Sequence, residues 1–203
     1  LGHNNLTAYS SPVQVGSDTT WHTAKINTSG NSYVLATKTD GTLWAWGKNS
    51  SGALGQNQAE AQLGGTSSPV QIGSGTDWAT GRFKISNAHP SGGAAIKTDG
   101  TLYIWGYNSL GGLGQNQANA QLPRVSSPVQ VPGTTWRSVG GVNQIAAIKT
   151  DGTLWAWGRN SPGALGQNNR TDHSSPTQIP GTTWANVQGG VNCLMATKTD
   201  GTM

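Results

Sequence analysis

Charge is scarce in this chain. Only 10% of its 203 residues are Asp, Glu, Lys or Arg, against about 25% in an ordinary soluble domain. There is one Cys and one Phe. A single thiol excludes an internal disulfide. Cys193 lies in the run Val191-Asn192-Cys193-Leu194-Met195-Ala196 and reads as a buried small hydrophobe. No apolar run approaches the roughly 18 residues of a membrane span, and no secretory leader is visible. No amphipathic helix of useful length appears. The stretch Gln58-Ala59-Glu60-Ala61-Gln62-Leu63 has helical propensity but is too short to hold alone. Basic residues outnumber acidic ones by 12 to 8, giving a net charge of +4. They are scattered, whereas a nucleic-acid reader gathers them into a stripe, so no nucleic-acid partner is expected.

Catalytic patterns are missing too. Four of the acids (Asp40, Asp99, Asp151, Asp200) fall in turns, and Asp18, Glu60, Asp77 and Asp172 have no acidic neighbour in sequence. His3, His22, His89 and His173 are isolated, without the spacing of a metal site. No Gly-x-Ser-x-Gly elbow and no phosphate-cradling glycine loop occurs. No catalytic residue, metal ligand or cofactor is therefore assigned. Asn5, Asn27, Asn49 and Asn169 fit the glycosylation acceptor pattern, which chance explains in a chain this rich in Asn, Ser and Thr.

What the chain has instead is a repeat, with 30 Gly and 9 Trp. Lys38-Thr39-Asp40-Gly41-Thr42-Leu43-Trp44-Ala45-Trp46-Gly47 returns at Lys97–Gly106, at Lys149–Gly158, and in part at Lys198–Met203. The aspartates fall 59, 52 and 49 residues apart. A period near 50 that holds several short strands marks a radial array such as a propeller. Each Asp-Gly pair (Asp40-Gly41, Asp99-Gly100, Asp151-Gly152) separates two strand-like runs and predicts a hairpin. Alternation then places Trp44 and Trp46 on one face of the following strand and Leu43 and Ala45 on the other. That strand is expected to be buried on both sides, between blades. Trp105, Trp155 and Trp157 repeat the pattern. Ser-Ser-Pro (Ser67-Ser68-Pro69 and its copies) predicts the start of an edge strand, because Pro cannot donate to a central ladder. Length varies in two places per unit: before Ser-Ser-Pro, and between the lone Trp and the next Asp. These read as loops on a fixed frame.

These residues resemble the repeat of the regulator of chromosome condensation: Asp-Gly-Thr-Leu-Trp-Ala-Trp-Gly-x-Asn-Ser-x-Gly-x-Leu-Gly, then Pro, then Trp. The resemblance spans nearly the whole chain and implies an all-β fold, a β-propeller of four-stranded antiparallel blades, usually seven. It also implies one alternative function, guanine-nucleotide exchange on a small GTPase. The Gly-x-x-His step common in such repeats is absent; Gly30-Asn31-Ser32 and Gly190-Val191-Asn192-Cys193 stand in its place. In style the repeats resemble bacterial or bacteriophage members of the family.

Residues 1–203 are expected to form one propeller domain or a fragment of one, about four repeats with both ends cut within a repeat. A longer ring is expected for the whole protein, and exposed blade edges would allow self-association. Where the repeats disagree, a binding rim is expected: Lys48, Tyr107 and Arg159 after Trp-Gly, and His22 and Arg137 after the lone Trp. The favoured function is a non-catalytic scaffold that contacts a protein or a surface glycan, at a virion or cell surface. The alternatives are the exchange factor and an inhibitor of an extracellular enzyme.

Overall fold

The computed structural model describes residues 2–5, 7–27, 32–58, 60–89, 91–161, 163–190 and 192–203. Gly30-Asn31 and Thr28-Ser29 fall outside them. Four antiparallel sheets follow one another along the chain. The first holds β1 (Trp21–Asn27), β2 (Tyr33–Lys38), β3 (Leu43–Lys48) and β4 (Gly65–Gln71). The second holds β5 (Ile85–His89), β6 (Gly92–Ile96), β7 (Leu102–Tyr107) and β8 (Arg124–Gln130). The third holds β9 (Trp136–Gly141), β10 (Gln144–Lys149), β11 (Leu154–Gly158) and β12 (His173–Ile179). A two-stranded sheet, β13 (Trp184–Gly189) with β14 (Leu194–Lys198), comes last. Strands pair in sequence order, as in propeller blades, and the chain forms a partial propeller. The first strands of successive blades (β1, β5, β9, β13) pack side by side on the inner face. The fourth strands lie outside.

The hairpin reading of Asp-Gly holds, with a finer geometry. Lys38 N donates to Thr42 O (3.0 Å) and Gly41 N to Lys38 O (3.1 Å), closing a three-residue loop with Gly41 at φ +79°. The Asp carboxylate closes the turn: Asp40 Oδ1 accepts from Thr42 N (3.0 Å) and Thr42 Oγ1 (2.7 Å). The same pair of bonds recurs at Asp99, Asp151 and Asp200.

The third strand of each blade is buried on both faces, as expected. Leu43, Ala45 and Trp46 are buried in the first, and Leu102, Ile104 and Trp105 in the second. Trp105 and Tyr33 join a core shared by the first two blades, and Trp157 one shared by the second and third.

Two inter-blade clasps repeat, and the sequence predicts neither. The hairpin glycine carbonyl of one blade accepts from the lone Trp N–H of the next: Trp78 N to Gly41 O (3.0 Å), Trp136 N to Gly100 O (2.8 Å), Trp184 N to Gly152 O (3.0 Å). On the outside, the Leu-Gly-x-Asn step reaches the next blade's fourth strand. Asn57 N donates to Ser126 O (2.7 Å) and Asn116 N to Ser174 O (2.7 Å).

Two expectations need correction. Ser-Ser-Pro does not open the edge strand; it lies inside β4, β8 and β12, where the ladder shifts register (Ala45↔Val70, then Gly47↔Thr66). The bulge leaves Pro without a bond to donate and frees the first Ser carbonyl for the neighbouring clasp. Cys193 is exposed rather than buried. It sits in the turn before β14, whose Met195 is 59% exposed.

Candidate binding surfaces

The register separates the blade's two ends. Trp21 pairs with Lys38, and Asn27 with Tyr33. Tyr33 pairs in turn with Gly47. The Asp-Gly hairpin and the start of each first strand therefore share one end. The residues after Trp-Gly and the long loops share the other. The five expected rim residues do not lie on one rim: His22 and Arg137 are at the hairpin end, and Lys48, Tyr107 and Arg159 at the loop end. Sequence offset alone could not show this, because antiparallel pairing folds the offset back on itself.

The hairpin end is built around lysines. Lys38 Nζ lies 4.7 Å from the ring of Trp21 and 4.0 Å from that of Trp44. Lys97 stands over Trp78 and Tyr103, Lys149 over Trp136 and Trp155, and Lys198 over Trp184. A cation between two aromatic faces is held electrostatically while its stem covers apolar surface. Asp18 pairs with Lys38 at 2.5 Å and Asp77 with Lys97 at 3.0 Å. These two acids have no sequence partner, yet both occupy the segment just before the lone Trp. Asp77 raises the Lys97 ammonium above its usual pKa, chiefly through their hydrogen bond.

Five aspartates at this end have lowered pKa values. For Asp18 the leading cause is the hydrogen bond from Lys38; for Asp40 and Asp99 it is the Thr hydroxyl, and for Asp151 and Asp200 the Thr backbone N–H. A carboxyl lowered by folding adds stability above its unfolded pKa and loses it as pH falls through the folded value. Melting temperature is therefore expected to be flat above about pH 5 and to decline below about pH 4. The triple variant Asp40→Asn/Asp99→Asn/Asp151→Asn should show a smaller acid decline. Equal acid sensitivity in both proteins would show that the hairpin carboxylates do not hold the turns.

Arg137 is a strut and not a free rim group. Its Nε donates to Lys149 O (3.1 Å), and a terminal nitrogen donates to Trp184 O in the next blade. His22 is exposed and bonds Thr23.

At the loop end Lys48 is exposed. Tyr107 Oη accepts from Asn119 Nδ2 (3.4 Å), and Arg159 spans Ser161 and Asn192 (3.0 and 3.3 Å). Arg124, paired with Tyr107 in the ladder, and Arg170 add exposed positive charge. Of the acids here, Asp172 is engaged by Asn160 N at 2.6 Å, and Glu60 lies near Ser50 Oγ. The loops are shaped from inside by Asn49, Asn108 and Asn160, all fully buried. Asn108 Nδ2 donates to Gln117 O and Leu122 O (2.9 and 2.7 Å), and its Oδ1 accepts from Leu113 N (2.9 Å). Asn49 and Asn160 do the same work in their blades. Burial also removes Asn49 as a glycan acceptor in the folded chain. Asn108→Ala strands three buried groups at about 1–3 kcal/mol each if none relaxes. We expect a loss of about 3 kcal/mol, read by urea unfolding; a loss under about 0.5 kcal/mol would mean that water replaces the side chain.

Among the described residues no group of three or more His, Cys, Asp or Glu could hold a metal, and no helix is long and apolar enough to cross a membrane.

The family model described as "Regulator of chromosome condensation (RCC1) repeat" matches residues 40–81 and 151–197. The chain is 26% identical over 212 residues to the ultraviolet-B receptor UVR8 of Arabidopsis thaliana, covering all of this chain and 45% of the receptor. It is 28% identical over 181 residues to the human RCC1-like G exchanging factor-like protein, covering 82% of this chain and 35% of that protein. It thus spans less than half the length of either relative. Among solved structures, yeast Prp20p superposes with a TM-score of 0.67 at 19% identity, over 81% of this chain and 41% of that one. Human WBSCR16 gives 0.67 at 23% identity, over 82% and 42%. These two likenesses establish the propeller fold. The relatives named are plant, animal and fungal proteins, and none bears out the bacterial or bacteriophage style expected from the repeats.

Proposed function

We propose that this chain is a non-catalytic protein-binding module that works through the loop end of its blades. The observation that carries this reading is the contrast between frame and rim. Hairpins, clasps and buried Asn residues repeat from blade to blade, while Lys48, Tyr107 and Arg159 differ at one structural position on the same end. A repeat scaffold with side chains varied on a fixed frame is a general way to present a binding face. The exposed charge there is mainly positive, which favours an acidic protein surface and speeds encounter with it. Prp20p has been studied for its binding to Gsp1p and histones, which fits protein recognition on this fold. A virion location or a glycan partner draws no support from these relatives.

The exchange-factor alternative rests on the human relative's name. A nucleotide-release assay on a panel of small GTPases separates the two readings. The module reading expects no acceleration, and acceleration by the wild-type chain would overturn it. For any protein found to bind, Lys48→Glu/Arg159→Glu should weaken association at least tenfold without changing the melting temperature. Unchanged binding would move the interface away from the loop end.

A further inference from the structure

The second blade departs from its siblings on the inner face. Trp78 pairs with Lys97, and Ala79 N donates to Ile96 O (2.9 Å), as a first strand should. The ladder resumes at Lys84, whose carbonyl accepts from Ile96 N (2.9 Å), with Ile85 opposite Ala95. Between Ala79 and Lys84 the residues Thr80-Gly81-Arg82-Phe83 bulge out of the strand. This is the extra length noted between the lone Trp and the next Asp in that unit. In β9 and β13 the corresponding strand shifts by a single residue at this place.

The bulge is fixed from both sides. Gly81 N donates to Thr23 Oγ1 in the first blade (3.2 Å). Val139 N in the third blade donates to Phe83 O (2.9 Å), and Lys84 Nζ to Arg137 O (2.7 Å). So anchored, it carries Arg82 and Phe83 toward the fourth blade. Cavities of about 220 and 400 Å³ flank the pair. The first runs along Gly140 and Gly141; the second is lined by Asn186, Gln188 and Met195.

The charge here is one-sided. The exposed Arg82 guanidinium lies 5.5 Å over the ring of Phe83 and, among the described residues, pairs with no carboxylate. Lys84 and Arg137 add positive charge beside it, and burial followed by Arg137 lowers the Lys84 pKa. The strands β1, β5, β9 and β13 contain no acidic residue. Each is also the inner edge of its sheet, and on β9 the outward backbone groups are already engaged: Val139 N by Phe83 O, Arg137 O by Lys84 Nζ, and Gly141 O by Ser86 Oγ (3.3 Å). An exposed cation beside an apolar ring, with no acid on the surrounding strands, suits an acidic peptide that also carries an apolar side chain better than a free anion.

We infer that this inner trough binds an acidic peptide, with a carboxylate on Arg82 and a neighbouring apolar side chain against Phe83 and Met195. The probe is a fluorescein-labelled peptide of alternating Glu and Leu, with its Gln–Leu counterpart and inorganic phosphate as comparison arms. Saturable binding of the Glu–Leu peptide is expected, falling about tenfold in Arg82→Gln, the size of one charge-assisted hydrogen bond. It should fall also in Phe83→Ala and with added salt, and stay unchanged in Lys48→Glu/Arg159→Glu. That last variant separates this site from the loop end. Arg82 is exposed, so Arg82→Gln should melt like wild type. Equal binding to wild type and Arg82→Gln would overturn the proposal. So would equal affinity for the Gln–Leu peptide, or phosphate displacing the peptide at matching concentration.

Discussion

Gly106→Ala is expected to unfold the second blade, while Gly163→Ala leaves the fold intact. Both glycines have positive φ, +101° and +80°, so both substitutions carry the left-handed penalty of about 1–2 kcal/mol. They differ in what a Cβ would meet. At Gly163 nothing lies within 4 Å. At Gly106 the new carbon would overlap the carbonyl of Ser91 and the Cα of Gly92, both backbone atoms of the neighbouring strand start. Neither can move alone, because Tyr107 N donates to Ser91 O (3.2 Å) and Tyr33 Oη to Gly92 O. The glycine marks where the third strand turns across the second on its way to the loop end. Gly47 repeats the conflict, its Cβ falling 2.7 Å from Tyr33 Cα. Relieving the clash means parting β6 from β7, so we expect Gly106→Ala to cost more than about 4 kcal/mol, in the range reserved for severe mechanisms. The check is a pair of urea unfolding curves. Equal midpoints for the two variants would show that φ alone, and not backbone contact, sets the cost.

That comparison also shows where the sequence is legible. Asp-Gly and the Trp-x-Trp alternation state local rules, a turn needing positive φ and a strand with two apolar faces, and the structure has both. The lysine before Asp-Gly is silent in sequence. Its role needs Trp21 from one strand and Trp44 from another to meet around Lys38, which only the folded sheet arranges. The Thr after Asp-Gly is silent for a related reason. Thr42 Oγ1 both donates to Asp40 and accepts from Trp44 Nε1 (2.7 Å), so it links turn to strand. Asn108 could have been found: a small amide repeated at one offset from Trp-Gly, in otherwise variable loops, signals a side chain satisfying backbone. Arg137 could not, because one of its two acceptors, Trp184 O, belongs to another blade. The bulge at 80–83 is visible as extra length, but its inward direction comes only from the register.

Trp157→Ala is expected to be the most damaging of the tryptophan truncations. Its side chain is 0% exposed and packs in the core shared by the second and third blades. Its Nε1 donates to Gly112 O across the blade boundary (3.0 Å), as Trp105 Nε1 does to Ala53 O (2.9 Å). Truncation of a buried Trp costs about 3–5 kcal/mol. Here it also leaves the Gly112 carbonyl without its partner and removes the surface against which Gly114 sits; a Cβ on Gly114 would lie 2.9 Å from Trp157 Nε1. At about 2–4 °C per kcal/mol for a chain of this size, melting should fall by roughly 10 °C or more. Trp157→Phe separates the parts: it keeps a ring in the core and loses the hydrogen bond, at about 1–3 kcal/mol. Trp46 holds the same place in the first blade but is 7% exposed. Gly2 lies against its indole, whereas Trp157 is closed in by residues of the second blade. Trp46→Ala should therefore cost less than Trp157→Ala. If the two fall equally, the clasp from the preceding blade contributes nothing, and the Trp acts within its own sheet alone.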